Sequence, residues 1–335
     1  MRVRAAIDGM DRVGRCMLRG AFDRPDRAFE IVAVNDAAPA ATVAHLLRHD
    51  STHGRWHRDV EAVGEDLAVE DRPIRVLHEP APARLPWSAL GVEVVVDGTG
   101  RVCDVAGHLE AGARKVVLPR PGEDADATVV LGVNDDDYDP MRHDVVANAS
   151  SATNCAVPLA LVLHRAFDVV EGVLTTVHGP TADQNLLDGP HPDLRRGRSA
   201  AVNIIPAGTD VARALGEVLP ELAGRIDGVE LGVPVAGASL VQLTALLREP
   251  ATVGRVNRAF HSAADGWLKG VLRCTSEPIV SSDVLGESAS CLVDLGLTRV
   301  IGHTATVFGW HDDVWACAQR TLDLLDHVAR TLPQR

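Results

Sequence analysis

The chain lacks several things, and each lack removes a class of function. It has no apolar run approaching the roughly 18 residues that a membrane-crossing helix needs. Its opening residues, Met1-Arg2-Val3-Arg4-Ala5-Ala6-Ile7, lead straight into a strand pattern without the apolar core of a signal peptide. A cytoplasmic location with no membrane contact is the expectation. Positive charge is also short: 33 Lys and Arg against 46 Asp and Glu leave a formal net charge of -13. A nucleic-acid partner needs a basic face that displaces counterions, so none is expected. Lysine is nearly missing, with Lys115 and Lys269 alone, a bias with no mechanistic content. Closely paired cysteines are missing too. Cys16, Cys103, Cys155, Cys274, Cys291 and Cys317 are widely spaced and form no CxxC, so they read as reduced and mostly structural, and no metal site is assigned.

What is present is a long, apolar chain. With 335 residues and 46% hydrophobic content it can bury a sizeable core, and its length suggests two domains or one large one. Short apolar runs alternate with helix-like stretches in the first third: Val3 to Ile7, a helix from about Arg12 to Phe22, then Glu30 to Asn35. Further buried-strand runs follow at Val92 to Val96 and Lys115 to Leu118. This βαβ spacing predicts a parallel, Rossmann-like α/β sheet extending to about Ala149. From Gly172 the strands lengthen (Gly172 to His178, Gly228 to Val233, Leu240 to Leu247), interleaved with helices at Asp210 to Leu219 and Thr252 to Ala264, as in a separate α+β layer. Apolar residues at helical spacing make Trp315 to Leu332 a closing helix.

The first strand runs into Asp8-Gly9-Met10-Asp11-Arg12-Val13-Gly14-Arg15, and the next ends at Asn35-Asp36. That is the placement of a dinucleotide-binding turn. Its first glycine (Gly9) makes the turn, its third (Gly14) lets helix and strand pack, and its second lets the backbone approach a pyrophosphate. Asp11 holds that second position. A carboxylate at a helix N-terminus takes up the N–H groups and dipole that would otherwise receive phosphate. Two readings stand: Asp11 competes with the cofactor, or it caps the helix while the cofactor shifts, helped by Arg12 and Asp36.

Segments along the whole chain resemble the glyceraldehyde-3-phosphate dehydrogenase family in order. They are His45-Leu46-Leu47-Arg48-His49-Asp50-Ser51-Thr52-His53-Gly54-Arg55, Asn148-Ala149-Ser150-Ser151-Ala152-Thr153-Asn154-Cys155 and Thr175-Thr176-Val177-His178. Asp193-Leu194-Arg195-Arg196-Gly197-Arg198, Asn203-Ile204-Ile205-Pro206, Val218-Leu219-Pro220-Glu221-Leu222 and Leu268-Lys269-Gly270 continue the series. The resemblance implies a Rossmann NAD-binding-like domain over residues 1–149 completed by 314–335, and a catalytic domain with a mixed sheet over 150–313. It also implies a long loop near 180–204 and a homotetramer acting on a small molecule with NAD. In the family a cysteine attacks an aldehyde, a histidine is base, and phosphate releases the acyl group. A thiolate suits this because it is partly ionised near neutrality and strongly nucleophilic.

By the same resemblance, the nucleophile's position is Ser151, a hydroxyl un-ionised at pH 7, and His178 matches the catalytic histidine. Ser150, Thr181, Thr209 and Arg196 match substrate- or anion-binding positions. Ala152 replaces a threonine, Asp210 a glycine and Gly232 a second arginine. Asp313 replaces the asparagine that orients nicotinamide, and Cys317 a tyrosine. An arginine lost and a carboxylate gained weaken an anion pocket, and an acceptor-only carboxylate cannot donate as an amide does. NAD binding is therefore opposed at Asp11 and Asp313.

Other clusters have plainer readings. His45, His49 and His53 fall at helical spacing but match a structural stretch, so ligation is not expected; Asn134-Asp135-Asp136-Asp137-Tyr138-Asp139 is a solvated turn. Arg195, Arg196 and Arg198 form an anion clamp or support subunit contacts. Three functions are consistent with the whole. One is a repurposed small-molecule enzyme of an accessory pathway using Ser151 and His178 without ordinary phosphorylating activity. A second is an NAD-dependent aldehyde or sugar-phosphate dehydrogenase in which Ser151 is an engineered or natural replacement of cysteine. The third is a catalytically dead regulatory or binding homologue.

Overall fold

The computed structural model describes residues 2–100, 104–122, 124–181 and 184–333, so Cys103 lies outside the described residues. The chain forms two compact units, Met1–Ala149 with Cys317–Arg335, and Ser150–Ala316. The closing helix, Trp315–Thr331, therefore begins two residues before the chain returns to the first unit.

The first unit is built on a nine-stranded sheet. In spatial order its strands are Ala127–Val129, Val145–Asn148, Lys115–Leu118, Val94–Asp97, Val3–Asp8, Phe29–Asn35, Arg72–Leu77, Asp66–Val69 and Val60–Val63. The first seven pair in parallel and the last two are added antiparallel. Central strands such as Val94–Asp97 are wholly buried, which explains their unbroken apolar sequence: helices cover both faces of a parallel sheet. Chain order reverses about Val3–Asp8, which lies between the second strand and Val94–Asp97, so a crevice opens beyond their carboxyl ends, where ligands of such sheets bind.

The second unit begins with the helix Ser151–Phe167, started by Ser150 as N-cap and buried along Thr153–Leu163. It packs on the strands Ala238–Leu247 and Thr304–Asp312 of a second sheet. That sheet runs Ile205–Gly208, Ile226–Gly232, Val169–His178, Ala238–Leu247, Thr304–Asp312, Cys291–Asp294, Leu272–Thr275, with Arg299–Ile301 paired beside Thr304–Asp312. Val169–His178 pairs in parallel with Ile226–Gly232 and antiparallel with Ala238–Leu247, so the sheet is mixed.

One reading of local spacing needs correction. The histidines at 45, 49 and 53 do not share a helix: it ends at Arg48, and His49 is extended with φ -127 and ψ 118. His53 instead faces Asp50 at 3.4 Å. The acidic run is a short 3-10 turn over Asp135–Asp137, in which Asp135 accepts from Gly132 N at 2.7 Å. The five described cysteines are unbridged; burial pushes the Cys274 thiol up to about 12 and the Cys291 thiol well above its ordinary value, so both are protonated and inert.

Candidate functional site

Two sets of residues matter, one in each unit. In the first unit, Gly9 takes φ +96, and a Cβ there would lie 2.9 Å from Gly98 C, so only glycine fits the turn. A Cβ at Gly14 would run into Gly9 O, which is the close helix–strand packing that its position requires. The turn is thus shaped as a dinucleotide cradle. Its charge is not. Asp11 is the N-cap of the helix Arg12–Phe22, its Oδ1 accepting from Gly14 N at 2.9 Å. Asp36 accepts from Met10 N through one oxygen and from Ala38 N through the other, both at 2.8 Å, so it braces the turn. Arg12 is exposed at the first helical position, where the amides of Arg12 and Val13 have no intrahelical acceptor. The backbone fits a pyrophosphate, and the Asp11 carboxylate stands at the same helix end.

Beneath this turn, Asp8, Asp97 and His108 are buried and bring three potential ligand atoms within 4.8 Å of one another. The hydrogen bonding argues against a metal there. Trp87 Nε1, a donor only, reaches His108 Nδ1 at 3.1 Å, so Nδ1 accepts and the neutral ring carries its proton on Nε2. That nitrogen faces Asp8 Oδ2 at 3.5 Å and has no lone pair for an ion. Burial lowers the His108 pKa, with Asp97 and Asp104 opposing.

In the second unit the sequence candidates divide. Ser150 is committed to its own helix: Oγ accepts from Thr153 N at 3.0 Å and bonds Thr153 Oγ1 at 2.8 Å. This use as a cap competes with the anion-binding role expected of it. Ser151 is the first helical residue, half-buried, and among the described residues its hydroxyl makes no hydrogen bond to His178 or any other group. Thr209 Oγ1 accepts from Val211 N at 3.3 Å, and Thr181 O accepts from Gln184 N at 3.1 Å. Asp210 does not intrude on these groups: its side chain is 90% exposed and faces Arg213 at 3.7 Å, because a residue at a helix start points outward here. The arginines form no common clamp, since Arg198 pairs with Asp188 at 3.1 Å while Arg196 turns elsewhere.

Arg196 turns to Glu230, a residue that sequence reasoning passed over. Its Nη2 donates to Glu230 Oε1 at 2.6 Å, and the same oxygen lies 3.8 Å from His178 Nε2. His178 ends the strand Val169–His178, and Glu230 stands in the parallel strand beside it, opposite Thr176. His178 Nδ1 in turn meets Gly179 O at 2.7 Å. Both ring nitrogens face oxygens, Nδ1 within hydrogen-bond distance and Nε2 at ion-pair distance, and this arrangement favours the doubly protonated ring. Accordingly Glu230 holds the His178 pKa above its ordinary value; Gly179 and Asp313 add to this, and burial opposes it. Asp313 lies in the same unit, 3.3 Å from His311 Nε2. The only signal for Glu230 in the sequence is an acidic residue two positions before Gly232, hence on the same strand face.

An open α/β unit with a glycine turn at its switch point, followed by a mixed-sheet unit bearing a helix-borne hydroxyl and a histidine at a strand end, defines the two-domain dehydrogenase class. Sequence comparison narrows the class. Residues 3–105 match the family description "Glyceraldehyde 3-phosphate dehydrogenase, NAD binding domain", and residues 150–313 match "Glyceraldehyde 3-phosphate dehydrogenase, C-terminal domain". Glyceraldehyde-3-phosphate dehydrogenase 2 of Streptomyces arenae is 47% identical over 335 residues, covering 99% of this chain and 100% of the relative. The Mycobacterium avium enzyme of that name is 46% identical over 340 residues, covering 99% and 100%. That of Geobacillus stearothermophilus is 45% identical over 333 residues, covering 98% and 99%. The chain belongs to the glyceraldehyde-3-phosphate dehydrogenase family, and NAD is the cofactor that the family's N-terminal domain is named for. Among the described residues no helix is long and apolar enough to cross a membrane.

Proposed function

We propose that this chain is a small-molecule enzyme of an accessory pathway that has left the phosphorylating oxidation of its family and works by acid catalysis on an oxygenated metabolite. One observation carries the reading: His178 Nδ1 meets Gly179 O at 2.7 Å while Nε2 faces the Glu230 carboxylate at 3.8 Å, an arrangement that raises the His178 pKa and favours the imidazolium. An imidazolium donates a proton and cannot accept one, which reverses the role the family gives this position. Ser151, standing by resemblance where the family has its thiol, offers an un-ionised hydroxyl, and a protonated neighbour does nothing to activate it. In this reading His178 protonates a substrate oxygen while the Ser151 hydroxyl orients it. No step depends on the nicotinamide, in keeping with Asp11 at the cradle.

The test is reduction of NAD by the protein with D-glyceraldehyde 3-phosphate and phosphate, alongside Ser151→Cys. No turnover by either is expected, because restoring the thiol leaves Asp11 at the cofactor cradle and the step in this reading does not use the nicotinamide. Sustained NADH formation by the unaltered chain would sink the reading. A second reading, an NAD-dependent aldehyde or sugar-phosphate dehydrogenase, is favoured by the preserved Gly9 and Gly14 turn, and it predicts that Ser151→Cys restores turnover. Self-association of the chain as a homotetramer is supported by apolar side chains exposed along one loop, among them Leu186, Leu187 and Leu194; a monomeric mass by light scattering would reject it.

A further inference from the structure

The cations of the second unit's site are already matched by the protein's own carboxylate. Glu230 accepts from Arg196 at 2.6 Å and lies 3.8 Å from His178 Nε2; Asp193 adds a second carboxylate 3.8 Å from Arg196, and Asp313 acts on His178 from the Thr304–Asp312 side. On the same face of the strand, Gly232 offers no side chain, and a Cβ there would stand 3.0 Å from the Gln184 amide nitrogen. Gln184 thus fills the room beside Glu230. It is only 7% exposed, and among the described residues its Oε1 has no hydrogen-bond partner.

These facts decide what the place can hold. An incoming phosphate must displace Glu230 from Arg196, leaving a carboxylate beside a dianion with its own partners lost, and each lost charge-assisted bond counts against binding. What stays unmatched is acceptor capacity, on Gln184 Oε1 and on the remaining lone pairs of Glu230. A buried acceptor calls for a donor. Ammonium groups are opposed by Arg196 and His178 at close range, whereas a neutral hydroxyl both donates to these oxygens and accepts from the Gln184 amide N–H. We infer that Glu230, with Gln184, makes this a subsite for a neutral, hydroxyl-bearing molecule and bars phosphate from it. The inference deepens the proposed function and rests on its reading of a non-phosphorylated substrate.

The test uses two probes, inorganic phosphate and the neutral polyol erythritol, on the full chain, Glu230→Gln and Glu230→Ala, each checked for folding by circular dichroism. Calorimetry is expected to find no saturable phosphate binding by the unaltered chain and a gain of roughly ten-fold or more in phosphate affinity for Glu230→Gln. Saturation-transfer NMR is expected to find erythritol bound by the unaltered chain and released by Glu230→Ala. Phosphate binding by the unaltered chain that Glu230→Gln does not improve would overturn the inference, as would erythritol that fails to bind or binds regardless of Glu230. Should both variants fail to fold, the unaltered chain decides alone: erythritol without phosphate supports the inference, and phosphate, or neither probe, overturns it. NAD turnover is not read in these experiments, so their failure is distinct from failure of the proposed function.

Discussion

Replacing Asp11 by glycine separates the two roles of its carboxylate. Asp11 Oδ1 accepts from Gly14 N at 2.9 Å, so the substitution deletes one cap bond. Glycine is itself a tolerated N-cap, and the expected stability loss is ~0.3 kcal/mol. The effect on an anion at that helix end is larger and opposite in sign. Two unit charges about 6 Å apart repel by ~0.7 kcal/mol in water and by ~2.8 kcal/mol at an effective dielectric of about 20. Asp11 is exposed, so the lower figure governs. Against a pyrophosphate carrying about two charges it amounts to ~1.4 kcal/mol, or about ten-fold in Kd, and the freed Gly14 N–H adds a donor. Titration calorimetry of NAD against both proteins at two salt concentrations is the assay. The variant should bind about ten-fold tighter at low salt, and the gain should shrink as the Debye length falls from about 30 Å at 0.01 M to about 8 Å at 0.15 M. An unchanged Kd, or a gain that salt leaves untouched, would refute the reasoning that this carboxylate competes with phosphate.

How much of this was legible in the sequence varies with the range of the interaction that decides it. Lys115–Leu118 and Arg12–Phe22 are readable to the residue because a buried parallel strand is a continuous apolar run and an N-capped helix announces its start. The antiparallel pair Val60–Val63 and Asp66–Val69 escaped, since Val60 alone of the first four is buried and so short a strand leaves no periodic signal. The same limit explains the histidines at 45, 49 and 53: their spacing fits a helix, but the chain turns extended at His49. For the sites, the Gly9 and Gly14 turn is local chemistry and could be read directly. The pairing of Asp11 with Gly14 N followed from capping rules. Ser151 and His178 were reached only through resemblance, because a lone serine and a lone histidine have no signature of their own. Glu230 was missed because its meaning lies in Arg196, 34 residues away in the chain, and only folding brings the two together. Asp210 was misjudged for the converse reason: proximity in sequence to Thr209 says nothing of which way the side chain points.

Two further perturbations test the packing and charge around the second unit's site. His178→Gln should lose most stability in acid. The folded imidazole titrates above its ordinary 6.5, so its contribution is complete below that pH and fades as pH rises through the folded value; urea denaturation across a pH series should show the gap between the two proteins closing toward alkaline pH, and a widening gap would refute the imidazolium assignment. Gly309→Ala should overpack the core beneath the helix that bears Ser151. An added Cβ would stand 2.5 Å from Cys291 Sγ, 2.9 Å from Cys155 Sγ and 3.0 Å from Leu159 Cδ1, and Cys155 and Leu159 lie on that helix at full burial. Both cysteines are fully buried, so the cost is expected at ~1–3 kcal/mol. Removing the nearest obstacle should then recover part of it: in Gly309→Ala with Cys291→Ala, the new methyl takes volume that the sulfur gave up, and the double variant should be more stable than the sum of the single losses by ~0.5 kcal/mol or more. Thermal and urea melts of the four proteins in this cycle measure the coupling. Strict additivity would mean that the helix and strand shift apart to admit the methyl, and that the position of Ser151 is set less tightly by this contact than the close approach at Gly309 indicates.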